Sequence, residues 1–184
     1  MASAVRSTSA HSAEFADRLS ADARPWRAGK SAWALLAGLF AICLIPRLLM
    51  AWKLDAACDD AYYYVFVANC LKKGDFVSAF DYLNLNVYPA ILLGLHQLGF
   101  DWIVGGKIWG AVVGSLTVLP MFGWVRRLFD DRVAGMAGFL YAVHPHLIEV
   151  SVEPIREATF WFFLTLSLYF IWRSIDGLRI HDFV

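Results

Sequence analysis

The sequence predicts an all-α integral membrane protein of about four transmembrane helices, with juxtamembrane helices in a large first outer loop. Three observations predict this fold class. Hydrophobic residues make up 59% of the 184 positions, whereas soluble domains average about 45–50%. Four apolar stretches approach the ~20 residues that a helix needs to cross a bilayer. The eight tryptophans suit the aromatic belts found at membrane–water boundaries.

These stretches divide the chain into a membrane domain and two tails. Residues 1–31 are rich in Ala and Ser and are interrupted by acidic residues, which predicts a disordered cytoplasmic tail leading into an uncleaved signal-anchor. The membrane domain covers 32–173, and 174–184 form a second cytoplasmic tail, expected to be truncated. The predicted spans are 32–52, 104–124, 133–149 and 155–173, with an outer loop at 53–103.

Basic residues cluster near alternate ends of these spans. Arg24, Arg27 and Lys30 precede span one. Arg126, Arg127 and Arg132 lie between spans two and three, and Arg173 and Arg179 follow span four. The positive-inside rule places that side in the cytoplasm, which predicts a multi-pass protein of the cell inner (plasma) membrane with its N-terminus inside. Sixteen basic and sixteen acidic residues balance, so no basic excess favours nucleic acid as a partner.

The outer loop opens with the most informative feature of the chain, two adjacent carboxylates, Asp59 and Asp60, followed by Ala61 and three tyrosines. Carboxylates beside a membrane span are costly unless they meet water, a cation or a reacting group. Asp59 or Asp60 can cap a helix predicted over about 60–73, which would be a purely structural explanation of the pair. A cap uses one side chain, so the pair has a carboxylate left for chemistry.

The rest of the outer loop is expected to contain short elements. A turn is predicted at Gly74-Asp75, an irregular stretch at 84–86, and a short interfacial or re-entrant helix beginning at Tyr88-Pro89. The three cysteines are expected to be free thiols. Cys58 and Cys70 would lie roughly 18 Å apart along a helix, which is too far for a disulfide.

Acidic residues recur every four positions where spans three and four meet: Glu149, Glu153 and Glu157. Pro154 is predicted at the first helical position of span four, with Glu157 in the first turn. The glutamates are therefore expected to ring the outer end of these spans. Two interpretations remain open, a solvated rim or the lining of a cavity shared with Asp59 and Asp60.

Two other patterns are assigned to structure. Gly106, Gly110 and Gly114 have the spacing of small residues that allows close helix contact. His144 and His146 flank a proline at the end of span three. Two histidines are fewer than the three or four convergent ligands that a metal site needs, which argues against such a site there.

The order of the loop motifs resembles a known family. Asp59-Asp60-Ala61-Tyr62-Tyr63 is followed by Lys73-Gly74-Asp75-Phe76 and then by Tyr88-Pro89; Gly114-Ser115-Leu116-Thr117-Val118, Val125-Arg126-Arg127-Leu128-Phe129 and Arg156-Glu157-Ala158 come later. Over 32–173 this order resembles the opening of the membrane glycosyltransferases of the C superfamily. The likeness is greatest to the protein mannosyltransferase and aminoarabinose-transferase-like group.

The resemblance implies the N-terminal portion of an enzyme that moves a sugar from a polyprenyl-phosphate donor to an acceptor on the non-cytoplasmic face. It assigns catalysis to Asp59 and Asp60, one of which would accept or orient the proton of the acceptor. The pair is Asp-Asp where Asp-Glu is the commoner family form, so which carboxylate acts stays open. Candidate substrate-binding residues are Tyr62, Tyr63, Tyr88, Lys107, Arg156 and Glu157.

The phosphate leaving group needs a positive partner, and the sequence offers two kinds. Arg156 and Lys107 are the side-chain candidates, and a divalent cation is the alternative. The sequence itself requires no cofactor. The expected partners are the lipid-linked sugar donor, the bilayer and other membrane chains, with the acceptor unspecified.

A second function from another class also fits the sequence. The chain would then be a non-catalytic small membrane protein, or fragment, that binds a lipid-phosphate or a partner membrane protein through the same surface. A transporter fragment is a third reading, which requires charged or discontinuous helices at mid-membrane. Arg47 is the main such feature in the predicted spans.

Overall fold

The computed structural model describes residues 30–54, 58–83 and 86–177, and over these residues the protein is all-helical. The predicted tails fall largely outside them. Nine helices are present in this part of the chain: α1 (Lys30–Lys53), α2 (Asp59–Lys73), α3 (Phe76–Leu83), α4 (Tyr88–Gln97), α5 (Trp102–Leu116), α6 (Val118–Leu128), α7 (Asp131–Val143), α8 (Pro145–Val152) and α9 (Glu157–Gly177).

Three segments are long and apolar enough to cross a membrane: Trp33–Lys53, Trp102–Leu128 and Glu157–Ile175. They correspond to the first, second and fourth predicted spans. The second segment consists of α5 and α6, which meet at a turn at Thr117.

The third predicted span, 133–149, is divided between two shorter helices. His144 has extended backbone angles (φ −68°, ψ 117°) and separates α7, of 13 residues, from α8, of 8 residues. Pro145 explains the break, because a proline disfavours helical geometry at the residue before it. His144 also caps α8, since its Nδ1 accepts a hydrogen bond from the Leu147 N–H at 3.4 Å. A fourth crossing therefore stays a prediction.

The helix predicted over about 60–73 is present as α2, and the predicted turn follows it. Gly74 has a positive φ of 77°, which glycine adopts without steric cost, and its N–H bonds to the helix end. The predicted cap was wrong. The N-cap is Cys58, which makes no side-chain cap hydrogen bond, and both aspartates lie inside the first turn, where the helix dipole still favours them.

Two further boundaries differ from expectation. Pro154 does not begin α9; it lies in a bend at 153–156, and Glu157 is the first residue of the helix. Helix α3 occupies a stretch where no element was predicted. By contrast, α4 begins at Tyr88 with Pro89 in its first turn, as predicted. The three cysteines are free.

The described part of the chain packs around two main buried groups of side chains. One lies where α1 meets α6 and α7, and consists of Leu36, Leu39, Cys43, Val118, Phe122, Ala134 and Ala142. The other lies where α2 meets α4 and the bend before α9, and consists of Tyr64, Ala68, Tyr88, Leu92 and Ile155. The second group forms the floor of the candidate site.

The spacing of Gly106, Gly110 and Gly114 predicts a close helix contact, and the structure contains one. These glycines of α5 lie against the end of α8 and the bend that follows it. A Cβ on Gly110 would lie 2.1 Å from the Ser151 carbonyl oxygen, and one on Gly106 would lie 2.5 Å from the Pro154 Cβ. Only glycine leaves room for this backbone contact. The stripe therefore fixes the position of the bend that carries Glu153 and leads to Glu157.

Candidate functional site

Carboxylates and buried hydroxyls from three separate parts of the chain meet at one end of the helix bundle. We call this group the acidic cluster, and its members are Cys58, Asp60, Tyr64, Asn86, Tyr88, Glu153 and Glu157. The starts of α2 and α4 and the bend before α9 supply them. Glu157 is the first residue of a segment long and apolar enough to cross a membrane, so the cluster lies at one end of that segment.

Two tyrosines form the buried side of the cluster. The rings of Tyr64 and Tyr88 pack edge to face with centroids 5.2 Å apart, and their residues are only 5% and 1% exposed. Burial raises the pKa of the Tyr88 hydroxyl well above its ordinary value, and the neighbouring Tyr64, Glu157 and Cys58 add to the effect. Tyr88 is therefore protonated at neutral pH and able to donate a hydrogen bond.

Three buried polar atoms in the cluster have no hydrogen-bond partner: Asn86 Nδ2, Tyr88 Oη and Glu157 Oε2. Asn86 uses its other amide atom, Oδ1, to accept from the Tyr88 backbone N–H at 3.0 Å. Buried polar atoms are nearly always hydrogen-bonded. Two donors and one acceptor left open in one place can complete their bonding with the hydroxyl groups of a ligand.

The carboxylates act on the thiol and phenol beside them. The pKa of the Cys58 thiol is raised, first by burial and then by Glu153, which is hydrogen-bonded to the thiol, and by Asp60. Burial also raises the pKa of Tyr64; Glu157 and Asp60 add to this, whereas Arg156 and the nearby Asn86 amide oppose it. Asp60 and Glu153 thus both act on the Cys58 thiol.

A positive charge lies at the rim of the cluster. The Arg156 Nε is 3.8 Å from Glu157 Oε1, and the arginine side chain is largely exposed. Its guanidinium is accessible to an anionic group that arrives at the membrane boundary.

The structure brings together four of the eight residues that the sequence singles out, Asp60, Tyr88, Arg156 and Glu157. Asp59 and Asp60 are both exposed, and it is Asp60 whose charge acts on Cys58 and Tyr64. Tyr62 and Tyr63 are 61% and 52% exposed, and the third tyrosine of the run is the one that enters the cluster. Lys107 is buried in α5, where its Nζ donates to the Leu54 carbonyl at the end of α1.

Sequence reasoning missed Cys58, Tyr64 and Asn86 as site residues. The spacing of residues along α2 could have identified Tyr64: Ala61, Tyr64 and Ala68 recur at intervals of three and four residues, which places them on one face of the helix, and all three are buried. No comparable local signal marks Asn86, which comes just before α4 and owes its place to the packing of that helix on α2.

A second polar site surrounds Arg47, inside the first membrane segment. Arg47 is 0% exposed. Its Nε donates to Ser151 Oγ at 2.9 Å, and its Nη1 lies 2.9 Å from both the Cys43 carbonyl oxygen and Cys43 Sγ, and 3.4 Å from the Ala142 carbonyl oxygen. The guanidinium also lies 5.0 Å from the centroid of the Tyr141 ring. These partners are all neutral, and Nη2 has none.

No set of three or more His, Cys, Asp or Glu side chains is grouped to hold a metal ion among residues 30–54, 58–83 and 86–177. The acidic cluster brings carboxylates near one another without the convergence that a metal site needs.

Removing the Glu153 carboxylate is expected to make Cys58 more reactive. The thiolate is the reactive form, and Glu153 raises the pKa of the thiol. In Glu153→Gln, alkylation of Cys58 by iodoacetamide at mildly alkaline pH should accelerate by about threefold. The rate is measured by mass spectrometry of the peptide that contains Cys58.

Glu149→Gln is the matched control, because Glu149 is exposed one turn earlier on α8. Its Cys58 should react at the wild-type rate. Equal rates in wild type and Glu153→Gln would contradict the contact between Glu153 and the thiol.

Comparison of the chain with protein-family models, with curated proteins and with solved structures returns no match.

Proposed function

We propose that the acidic cluster is part of the active site of a membrane glycosyltransferase that uses a polyprenyl-phosphate sugar as donor. The resemblance of the loop motifs to the C-superfamily transferases supports this proposal, as does the position of the cluster at the start of a membrane segment. A polyprenyl chain would remain in the bilayer while its phosphate and sugar reach the cluster.

Asp60 is the proposed catalytic base. An acceptor hydroxyl attacks the anomeric carbon, its proton passes to the Asp60 carboxylate, and the bond between that carbon and the phosphate oxygen breaks. Both aspartates are exposed, and Asp60 is preferred to Asp59 because its charge acts on Cys58 and Tyr64 within the cluster.

Arg156 is the proposed partner of the leaving group. The departing polyprenyl phosphate carries the negative charge that develops as the bond breaks, and a guanidinium at the rim stabilises it. Arg156 is exposed and only loosely paired with Glu157, so it is available for this contact. Lys107 is less suited to the role because its amine is already bound to the Leu54 carbonyl.

The observation that carries the proposal is the set of unpartnered atoms at Asn86, Tyr88 and Glu157, next to an ionisable carboxylate. Tyr88 and Asn86 donate hydrogen bonds and Glu157 accepts one, which suits the hydroxyl groups of a sugar or of its acceptor. The side chains of Tyr88 and Tyr64 provide apolar ring surface beside these groups.

A transfer assay on single variants tests this assignment. The full-length protein in membrane vesicles is supplied with polyprenyl-phosphate hexoses and pentoses, and release of polyprenyl phosphate is measured by mass spectrometry. Asp60→Asn is expected to lower the rate about 100-fold, the usual size of a general-base effect. Asp59→Asn should have a smaller effect.

Asp81→Asn serves as the control, since Asp81 is an exposed carboxylate of the same connecting segment, outside the cluster. It should transfer at the wild-type rate. A wild-type rate in Asp60→Asn, or no release from any donor by the wild-type protein, would reject the proposed function.

A further inference from the structure

Helix α3 exposes an apolar face that nothing in the described part of the chain covers. We call it the α3 face, and its members are Phe76, Val77 and Phe80, which are 59%, 75% and 49% exposed. The other side of the helix packs on α2, where Ala79 is 2% exposed and contacts the buried group of Val67 and Cys70. Helix α3 is therefore anchored on one side and open on the other.

The three side chains form one stripe because residues 76, 77 and 80 are adjacent on a helical surface. Polar residues border the stripe. Asp81 is exposed on its flank, and Asp75 begins the helix by accepting a hydrogen bond from the Ser78 N–H at 3.1 Å. The pKa of the Asp75 carboxyl is lowered, first by a hydrogen bond from the Ser78 side chain and then by this backbone bond, so the charge is retained at the helix start. The helix has eight residues, or roughly 12 Å, which is far too short to cross a bilayer.

Contacts between α2 and α5 set the level of α3 relative to the membrane. Trp102 is the first residue of the second membrane segment. The Lys72 amine lies 5.9 Å from the centroid of its ring, and His96 stacks on the same ring at 3.9 Å. Lys72 is in the last turn of α2, and α3 begins four residues later. The α3 face therefore starts close to a membrane boundary.

We propose that the α3 face is inserted into the lipid surface, at the boundary between headgroups and acyl chains, on the side of the membrane where Trp102 lies. A short helix with an apolar stripe and polar flanks has the pattern of an interfacial helix. Lys72 and Lys73 are exposed beside it and suit anionic headgroups. The inference does not depend on the proposed transfer.

The size of the face favours lipid over a protein partner. Three side chains cover roughly 400 Å², whereas a stable protein interface buries about 800 Å² on each partner. The face also begins four residues after Lys72, which contacts Trp102 at the start of a membrane segment. A bilayer covers such a strip without any additional partner surface.

Spin labels provide the test. Single cysteines carrying a nitroxide are placed at 76, 77, 80 and 81 in the full chain with Cys58 replaced by serine, since Cys43 and Cys70 are buried. The protein is reconstituted in vesicles of phosphatidylethanolamine and phosphatidylglycerol. Collision with oxygen, which concentrates in lipid, is compared with collision with a water-soluble nickel chelate.

Labels at 76, 77 and 80 are expected to favour oxygen over nickel at least several-fold more than the label at 81. Adding Phe80→Ser to the label at 77 should shift that label toward the nickel chelate. Two results overturn the proposal: nickel accessibility at 76, 77 and 80 equal to that at 81, which means water, or immobilised labels shielded from both reagents, which means a protein contact.

Discussion

Replacing Gly110 with alanine is expected to destabilise the folded protein by about 3 kcal/mol, at the upper end of the usual cost of overpacking. The new Cβ would lie 2.1 Å from the Ser151 carbonyl oxygen and 3.5 Å from that of Glu153. Backbone atoms cannot rotate away as a flexible side chain can, so α5 and α8 must separate. Alanine's better helix propensity offsets only about 1 kcal/mol of the clash.

Gly38→Ala is the matched control for this change. Gly38 lies on an exposed face of α1, and a Cβ there would meet nothing within 4 Å. The two variants are compared by unfolding in detergent micelles with increasing dodecyl sulfate. Gly38→Ala should be as stable as wild type or slightly more stable, and equal midpoints for both variants would contradict the close contact at Gly110.

The same substitution has a consequence for the acidic cluster. Separation of α5 and α8 moves the bend that holds Glu153 against Cys58. Folded Gly110→Ala protein should therefore show the faster Cys58 alkylation expected for Glu153→Gln. An unchanged Cys58 rate in that protein would mean that the glycine stripe does not position the cluster.

Local signals account for the parts of the fold that the sequence predicted correctly. Helix α2, its stop at Gly74 and the start of α4 at Tyr88-Pro89 each depend on residues within one or two turns. The break at His144 also had a local cause, the following proline, but the apolar run across it suggested a single span. Hydrophobicity alone does not distinguish one long helix from two short ones.

The candidate site was predicted less completely because its geometry depends on distant partners. Asp60 and Glu157 were identified as chemically unusual, but which tyrosine of the run joins them depends on how α2 packs on α4. The surroundings of Arg47 depend even more on distant partners. Its bond to Ser151 joins residues 104 positions apart, and no local pattern indicates that pairing.

Replacing Arg47 with methionine is expected to stabilise the protein by about 2 kcal/mol, because an uncompensated buried charge is removed while the side-chain volume is largely kept. The lost partners are neutral, and Ser151 and the Cys43 carbonyl retain other bonds. Ser151 Oγ still donates to the Ile148 carbonyl at 2.9 Å. The Cys43 carbonyl remains within the helical ladder of α1. Few buried polar atoms are therefore left unsatisfied.

Two other substitutions at this position should have the opposite sign. Arg47→Ala removes the charge but leaves a void between α1, α7 and α8, at a cost of about 3 kcal/mol. Arg47→Lys keeps the charge but replaces the planar guanidinium with a compact ammonium. The ammonium cannot reach both Ser151 and the Ala142 carbonyl. It should lose about 2 kcal/mol, since a buried charge then has fewer hydrogen bonds.

The order of unfolding midpoints in dodecyl sulfate is therefore expected to be methionine above wild type, with lysine and alanine below. A methionine variant as unstable as the alanine variant would show that the hydrogen bonds and the Tyr141 ring more than compensate the buried charge. The expected order would instead mean that the fold is held together despite Arg47. An ionisable side chain inside a membrane segment that the fold does not need is most simply explained by a functional role.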